Sequence, residues 1–236
     1  MTVDLEAFLA GATIDSAVRD LVPDYRVLLI AVDGIEPGAG DQESAALILA
    51  AETSARETLA RRPVEEVPHV AAWRDAYRLF GAKPQRTRNS LEALLRRAGD
   101  GLPRVNRLTD IYNAISVRHQ IPIGGEDLAG YVGPPRLIRA TGNEEFDTRA
   151  SGEVVIEHPD TGEVVWTDPR GVTCRRWNWR QCVRTALTDH TTSVLFILDA
   201  LDPFGDDQLR AAGDELVGHV VSLGHDVRVV QRILRA

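Results

Sequence analysis

The stretch Gly101–Leu128, GLPRVNRLTDIYNAISVRHQIPIGGEDL, most constrains the fold, because it must leave a helical pattern within a few residues. From Asn106 onward Leu108, Ile111, Tyr112 and Ile115 recur at the three-and-four spacing of one helical face, the face a helix buries. Asn106, Asp110 and Asn113 fall at i, i+4 and i+7, a narrow polar stripe of the kind that lines a pocket. Pro122 stops the helix, since it has no amide to donate and biases its predecessor away from helical angles. Gly124 and Gly125 follow. They read either as a plain turn needing positive φ, or as bare backbone that a ligand can approach, with unshielded amides to bind it.

Upstream, residues 2–10 read as a short helix with Thr2 as N-cap. Tyr25–Val32 is a nearly continuous apolar run, a buried strand. The following GAGDQE, Gly38–Glu43, lacks the third glycine of a dinucleotide fingerprint and has acids where pyrophosphate needs donors, which excludes a nucleotide site there. Helices are predicted over 41–61, over Val67–Phe80 with Val70, Trp73, Tyr77 and Phe80 inward, and from a cap at Asn89 or Ser90. Lys83, Arg86 and Arg88 precede this last helix, and a helix start flanked by such cations can hold phosphate.

Beyond Leu128 the pattern alternates. Pro135–Thr141, Glu153–His158 and Glu163–Asp168 read as strands, the last two joined as a hairpin through HPDTGE, with Val172–Arg176 a further short strand. Residues 174–181, CRRWNWRQ, set three arginines among two tryptophans. Trp177 and Trp179 alternate as on one face of a strand, so they form a packed pair under arginines or a surface that stacks bases. Val194–Leu198 is an apolar strand that ends in Asp199, and 206–223 a closing helix; the last dozen residues show neither period.

A chain of 236 residues with 44% hydrophobic content can bury one sizeable core, and one domain over 1–236 is expected. The acidic MTVDLEAFLA is neither a secretory signal nor a membrane span, so a cytoplasmic location without a membrane partner is expected. Cys174 and Cys182 form no CxxC pair and the histidines show no ligand spacing with them, so neither disulfide, metal nor cofactor is expected. The net charge of −8 argues against bulk nucleic-acid binding, and no DNA partner is expected. The charge is blocked, however. Residues 56–107 carry twelve bases against six acids, and 170–184 five arginines and no acid, which is either an RNA footprint or ordinary surface pairing.

No GxSxG elbow, HExxH, P-loop or credible cysteine nucleophile is present, so any reaction rests on positioning. The order LTDIYN, QIPIGGEDL, strands with GE, then TDHTT and an apolar strand resembles the B3/B4 domain of the phenylalanyl-tRNA synthetase β subunit. WRDAYRLFGAKP, SLEALLRR and CRRWN make it more similar to freestanding B3/B4 proteins, over roughly residues 65–200. The resemblance implies a mixed α/β (α+β) fold, a central mixed sheet flanked by helices. It also implies a pocket that takes the aminoacylated 3′ end of tRNA and hydrolyses a wrongly attached amino acid, tyrosine in the synthetase. By position, the family's Thr-Asn pair becomes Tyr112 and Asn113, its pocket histidine becomes Gly124, and its partner glutamate falls nearest Asp199. Its glycine pair before TDHTT is replaced by part of CRRWNWRQC. These departures remove groups that recognise a tyrosine hydroxyl, so a different amino acid is expected.

The leading expectation is therefore a trans-acting deacylase of mischarged tRNA. Asn113, Asp110 and Asp199 are its candidate catalytic groups, with structural pairing to Arg104 or Arg107 the other reading of Asp110. Asn106, Tyr112, Gly124, Gly125, Trp177 and Asn178 are candidate substrate contacts, and Arg88, Arg175 and Arg176 candidate contacts to tRNA. The alternatives are a noncatalytic aminoacyl-tRNA or RNA-binding module and a small-molecule amino-acid binding protein.

Overall fold

The computed structural model describes residues 4–236. In chain order its elements begin with α1 (Leu5–Ala10), β1 (Thr13–Ile14), α2 (Ser16–Leu21), β2 (Arg26–Asp33), α3 (Gln42–Leu59), α4 (Pro68–Leu79), α5 (Ser90–Arg97) and α6 (Arg107–His119). Strands β3 (Ile123–Asp127), β4 (Arg136–Arg139), β5 (Phe146–Ala150), β6 (Glu153–Glu157), β7 (Val164–Asp168), β8 (Gly171–Arg175), β9 (Arg180–Gln181) and β10 (Ser193–Ala200) follow, then α7 (Asp206–Val220) and β11 (Arg228–Arg235). This is an α+β fold. Its strands are divided among a four-stranded sheet in the order β11-β2-β10-β3, a five-stranded sheet β1-β4-β7-β8-β9, and the ribbon β5-β6. One parallel pair, β1 with β4, makes the larger sheet mixed.

The Val27–Val32 run is apolar at every position because both faces of the four-stranded sheet are covered. Val27, Leu29 and Ala31 join one core with Trp73, Trp166 and Trp177, whereas Leu28, Ile30 and Val32 join another with residues of α6 and α7. A third core fills the space between α3, α4, α5 and α6. Helix α6 is consequently buried from Leu108 through Val117, all round rather than along one stripe. It ends at Gln120 in the left-handed region (φ 56°), two residues before Pro122.

Several expectations change. Thr2 lies outside the described residues, and Asp4 caps α1 by accepting from the Ala7 amide. Asp41, in the rejected glycine stretch, caps α3 in a reciprocal pair with Ser44. Strands β6 and β7 do not form a hairpin: β6 pairs with β5, while β7 lies between β4 and β8. Gly124 and Gly125 are not in a turn. They sit in β3 opposite Ile197 and Phe196 of β10. The ambiguous C-terminal residues complete the sheet beside β2.

Candidate functional site

A hollow of about 230 Å³ opens between α5, α6, β3 and the segment that links β8 to β9. Asn113 enters it from α6, Gly124 and Glu126 from β3, Asp199 from β10, and Trp177 and Asn178 from the linking segment. That segment is not extended. Arg176 (φ 46°) and Trp177 (φ 67°) are consecutive left-handed residues without being glycine, a costly turn that must be held by its surroundings. Trp177 holds it by complete burial, edge-on to Tyr25 at 4.9 Å and Trp73 at 5.3 Å between ring centroids. The expected alternation of Trp177 and Trp179 on one strand face is thereby overturned. Trp177 is core at the base of the hollow, and Trp179 lies under the Arg176 guanidinium at 4.6 Å.

Asn178 is fixed from three sides. Its Oδ1 accepts from the Tyr77 hydroxyl at 2.9 Å, its Nδ2 donates to Asp199 Oδ2 at 3.3 Å, and its carbonyl accepts from the Ser90 amide that starts α5. Asp199 also accepts from the Tyr25 hydroxyl at 2.6 Å. It is the penultimate residue of β10, and burial pushes its carboxyl up to about 7 against those two hydrogen bonds. Glu126 is fully buried; its Oε2 accepts from the Tyr131 hydroxyl at 2.5 Å, while Oε1 has no partner. Burial pushes this carboxyl to about 7 as well. Cys174 lines the same hollow, but burial holds its thiol well above the ordinary range, which disfavours the thiolate a nucleophile needs.

The Asn113 side chain makes no hydrogen bond to a described residue, although the residue is only 7% exposed. It is the free amide of the hollow. Tyr112 lies beside it against Phe196, and its ring explains Gly125: a Cβ there would stand 2.9 Å from the ring and from Leu187. Gly124 similarly admits Gln181, whose Nε2 would lie 3.1 Å from such a Cβ and donates to the Gly125 carbonyl at 3.0 Å. The glycines thus make room for side chains of this chain, and Gly124 also borders the hollow.

Other candidates lie elsewhere. Asn106 is the N-cap of α6, accepting from the Thr109 amide, and Asp110 accepts from the Val105 amide at 2.9 Å, so both close the start of the helix away from the hollow. Neither expected ion pair forms at Asp110: Arg104 pairs with Glu52, and Arg107 approaches Asp41. Arg175 is buried in a two-pronged pair with Glu163, at 2.9 and 2.8 Å, and cannot also serve a phosphate. Arg176 is engaged by Glu163, Asp160 and Thr87. Arg88 is exposed near Glu92 and does not reach the hollow.

Comparison with protein families matches the B3/4 domain over residues 72–208, more than half of the chain. The chain belongs to the B3/4 domain family. Among solved structures this B3/4 protein is similar to an N-terminal fragment of the phenylalanyl-tRNA synthetase beta-subunit from Pyrococcus horikoshii, at 12% identity and a TM-score of 0.46. That match covers 94% of this chain and 53% of the fragment, so the chain spans about half the fragment's length. Comparison with curated proteins finds no match.

Every residue lining the B3/4 hollow falls inside the matched stretch. Sequence reasoning missed Glu126, Gln181, Arg97 and Arg180, which line it too. Glu126 carried one signal, an acid within an otherwise buried strand pattern; Arg97 and Arg180 carried none beyond their charge. Among the described residues no helix is long and apolar enough to cross a membrane, and no cluster of His, Cys, Asp and Glu is suited to a metal.

Proposed function

We propose that this B3/4 protein hydrolyses the ester joining an amino acid to the 3′ end of tRNA, acting in trans. The observation that carries this reading is the unengaged Asn113 amide, facing a hollow of side-chain size that also holds two buried carboxyl groups. Water adds to the ester carbonyl carbon, the bond from that carbon to the ribose oxygen breaks, and the ribose hydroxyl recovers a proton while the free amino acid departs. Asn113 donates to the carbonyl oxygen as charge develops there, and the buried site lets that hydrogen bond act at full strength. Asp199, held by Tyr25 and Asn178, orients the water or the α-ammonium; a carboxyl near 7 can also accept the proton that water gives up. The ribose hydroxyl next to the ester assists.

Arg97 and Arg180 line the hollow at its exposed side, where the 3′-terminal phosphate would lie. The partner is then tRNA, and the place of action the compartment in which tRNA is charged, the cytoplasm. A second reading, a noncatalytic module that binds aminoacyl-tRNA, is favoured by one feature: both Asp199 oxygens already accept hydrogen bonds.

Incubation with a panel of mischarged tRNAs separates the two. Release of amino acid faster than in buffer for at least one tRNA is expected; binding without release from any of them would leave the second reading.

A further inference from the structure

Among the described residues seven acidic ones are buried, and five of them are answered locally. Glu92 has Arg74 and Arg96, Glu163 has Arg175, Asp168 has Arg184, Glu52 has Arg104, and Asp110 sits in the first turn of α6 accepting a backbone amide. Glu126 and Asp199 are the exceptions. Neither lies within 4 Å of a cationic nitrogen among the described residues, their hydrogen-bond donors are all neutral, and one oxygen of Glu126 has no partner. Both line the same hollow.

We propose that the missing counter-charge is the substrate's: the hollow takes an acyl group whose side chain ends in a cation, an amine or a guanidine, paired with Glu126 and Asp199. This rests on reading the hollow as the aminoacyl site. Every aminoacyl ester brings one ammonium beside its carbonyl, which Asn113 and one carboxylate can hold; the second carboxylate is what selects the side chain. The walls suit such a group. Tyr112, Ile123, Trp166, Trp177 and Ile197 give an apolar sleeve for a methylene stem, with aromatic faces near a cation. Charge also changes sign along the hollow, from carboxyls among fully buried residues to Arg97, exposed, and Arg180, half-buried. That polarity orients a ligand with its cation inward and its phosphate outward. A neutral aromatic side chain would leave the second carboxyl buried without a cation, and an acidic one would be repelled.

The test uses amino-acid methyl esters, which need neither tRNA nor turnover. Binding of arginine against citrulline methyl ester, and of lysine against norleucine methyl ester, is measured by calorimetry at pH 7.5. Within each pair the shape is nearly kept and the side-chain charge removed. The cationic member is expected to bind at least about tenfold tighter, the size of a charge-assisted hydrogen bond. Glu126→Gln is expected to abolish that preference, and Asp199→Asn to reduce it, each checked for folding by its unfolding transition. Equal binding within both pairs, tighter binding of the neutral members, or binding of none would overturn the inference. So would a preference that survives both substitutions. A protein that hydrolyses no mischarged tRNA yet prefers the cationic esters loses the hydrolase reading alone; one that deacylates neutral and cationic substrates alike loses this inference alone.

Discussion

Replacing Glu126 by glutamine should stabilise the protein at pH 8 and leave it unchanged near pH 4. The folded carboxyl has been pushed by burial from the ordinary 4.5 to about 7, so between those values the folded state holds a proton that the unfolded state has released. Stability from this group is therefore complete below about pH 4.5 and is lost as pH rises through about 7, the point where the buried carboxylate must ionise without a cation. A shift of this size corresponds to roughly 3 kcal/mol, at about 1.4 kcal/mol for each unit. Glutamine cannot ionise, and its carbonyl can still accept from the Tyr131 hydroxyl. The difference between variant and parent, from urea unfolding at half-unit steps from pH 4 to 8.5, should rise from near zero to a plateau of a few kcal/mol above pH 7. Tyr25, Tyr131, Cys174 and Arg184 surround the pair and are common to both proteins; Asp199 titrates over the same interval and is itself raised in part by the Glu126 charge, so its relief in the variant adds to the gain above pH 7 with the same sign. His69, lowered by burial to about 4, moves stability the opposite way below pH 6.5 and also cancels in the difference. A difference that stays flat, or a variant less stable at pH 8, would refute the reasoning.

Other consequences follow from the same geometry. Trp177→Ala should cost about 3–5 kcal/mol in urea unfolding, because it empties the contact with Tyr25 and Trp73; a loss under 1 kcal/mol would return Trp177 to a stacking role. Glu163→Ala should cost on the order of 3–5 kcal/mol by leaving Arg175 buried with only the half-exposed Glu157, and the companion change Arg175→Met should recover much of it. Arg97→Ala with Arg180→Ala should lower tRNA affinity and flatten its dependence on salt by about one to two phosphate contacts, whereas Arg175→Met, at a buried pair, should not change the slope.

The sequence carried the elements whose cause is local. The Tyr25–Val32 strand, α4 and α6 each announce themselves by apolar period, and Gly205 through Val220 by length. Strand β11 stayed hidden because its burial runs exposed, intermediate, intermediate, without the alternation of a one-sided strand. The false hairpin came from a turn sequence that is a real turn; what pairs with β6 is β5, whose single buried aromatic, Phe146, is too weak a pattern to be seen. For the site, Asn113, Tyr112, Gly124, Trp177, Asn178 and Asp199 were legible and do converge on one hollow. Asn106 and Asp110 share a helix face with Asn113, but Asn106 caps the Thr109 amide and Asp110 takes the Val105 amide just before the helix. Glu126 could not be found from spacing, because what marks it is the absence of a cation that only the fold can show.

The proposed hydrolysis rests on Asn113 meeting the scissile carbonyl. Single-turnover release of amino acid from a mischarged tRNA that the parent deacylates, compared with the Asn113→Ala variant, tests it most directly. A fall on the order of a hundredfold is expected, with the unfolding midpoint kept and tRNA affinity little changed. Release by the variant at the parent's rate would contradict it.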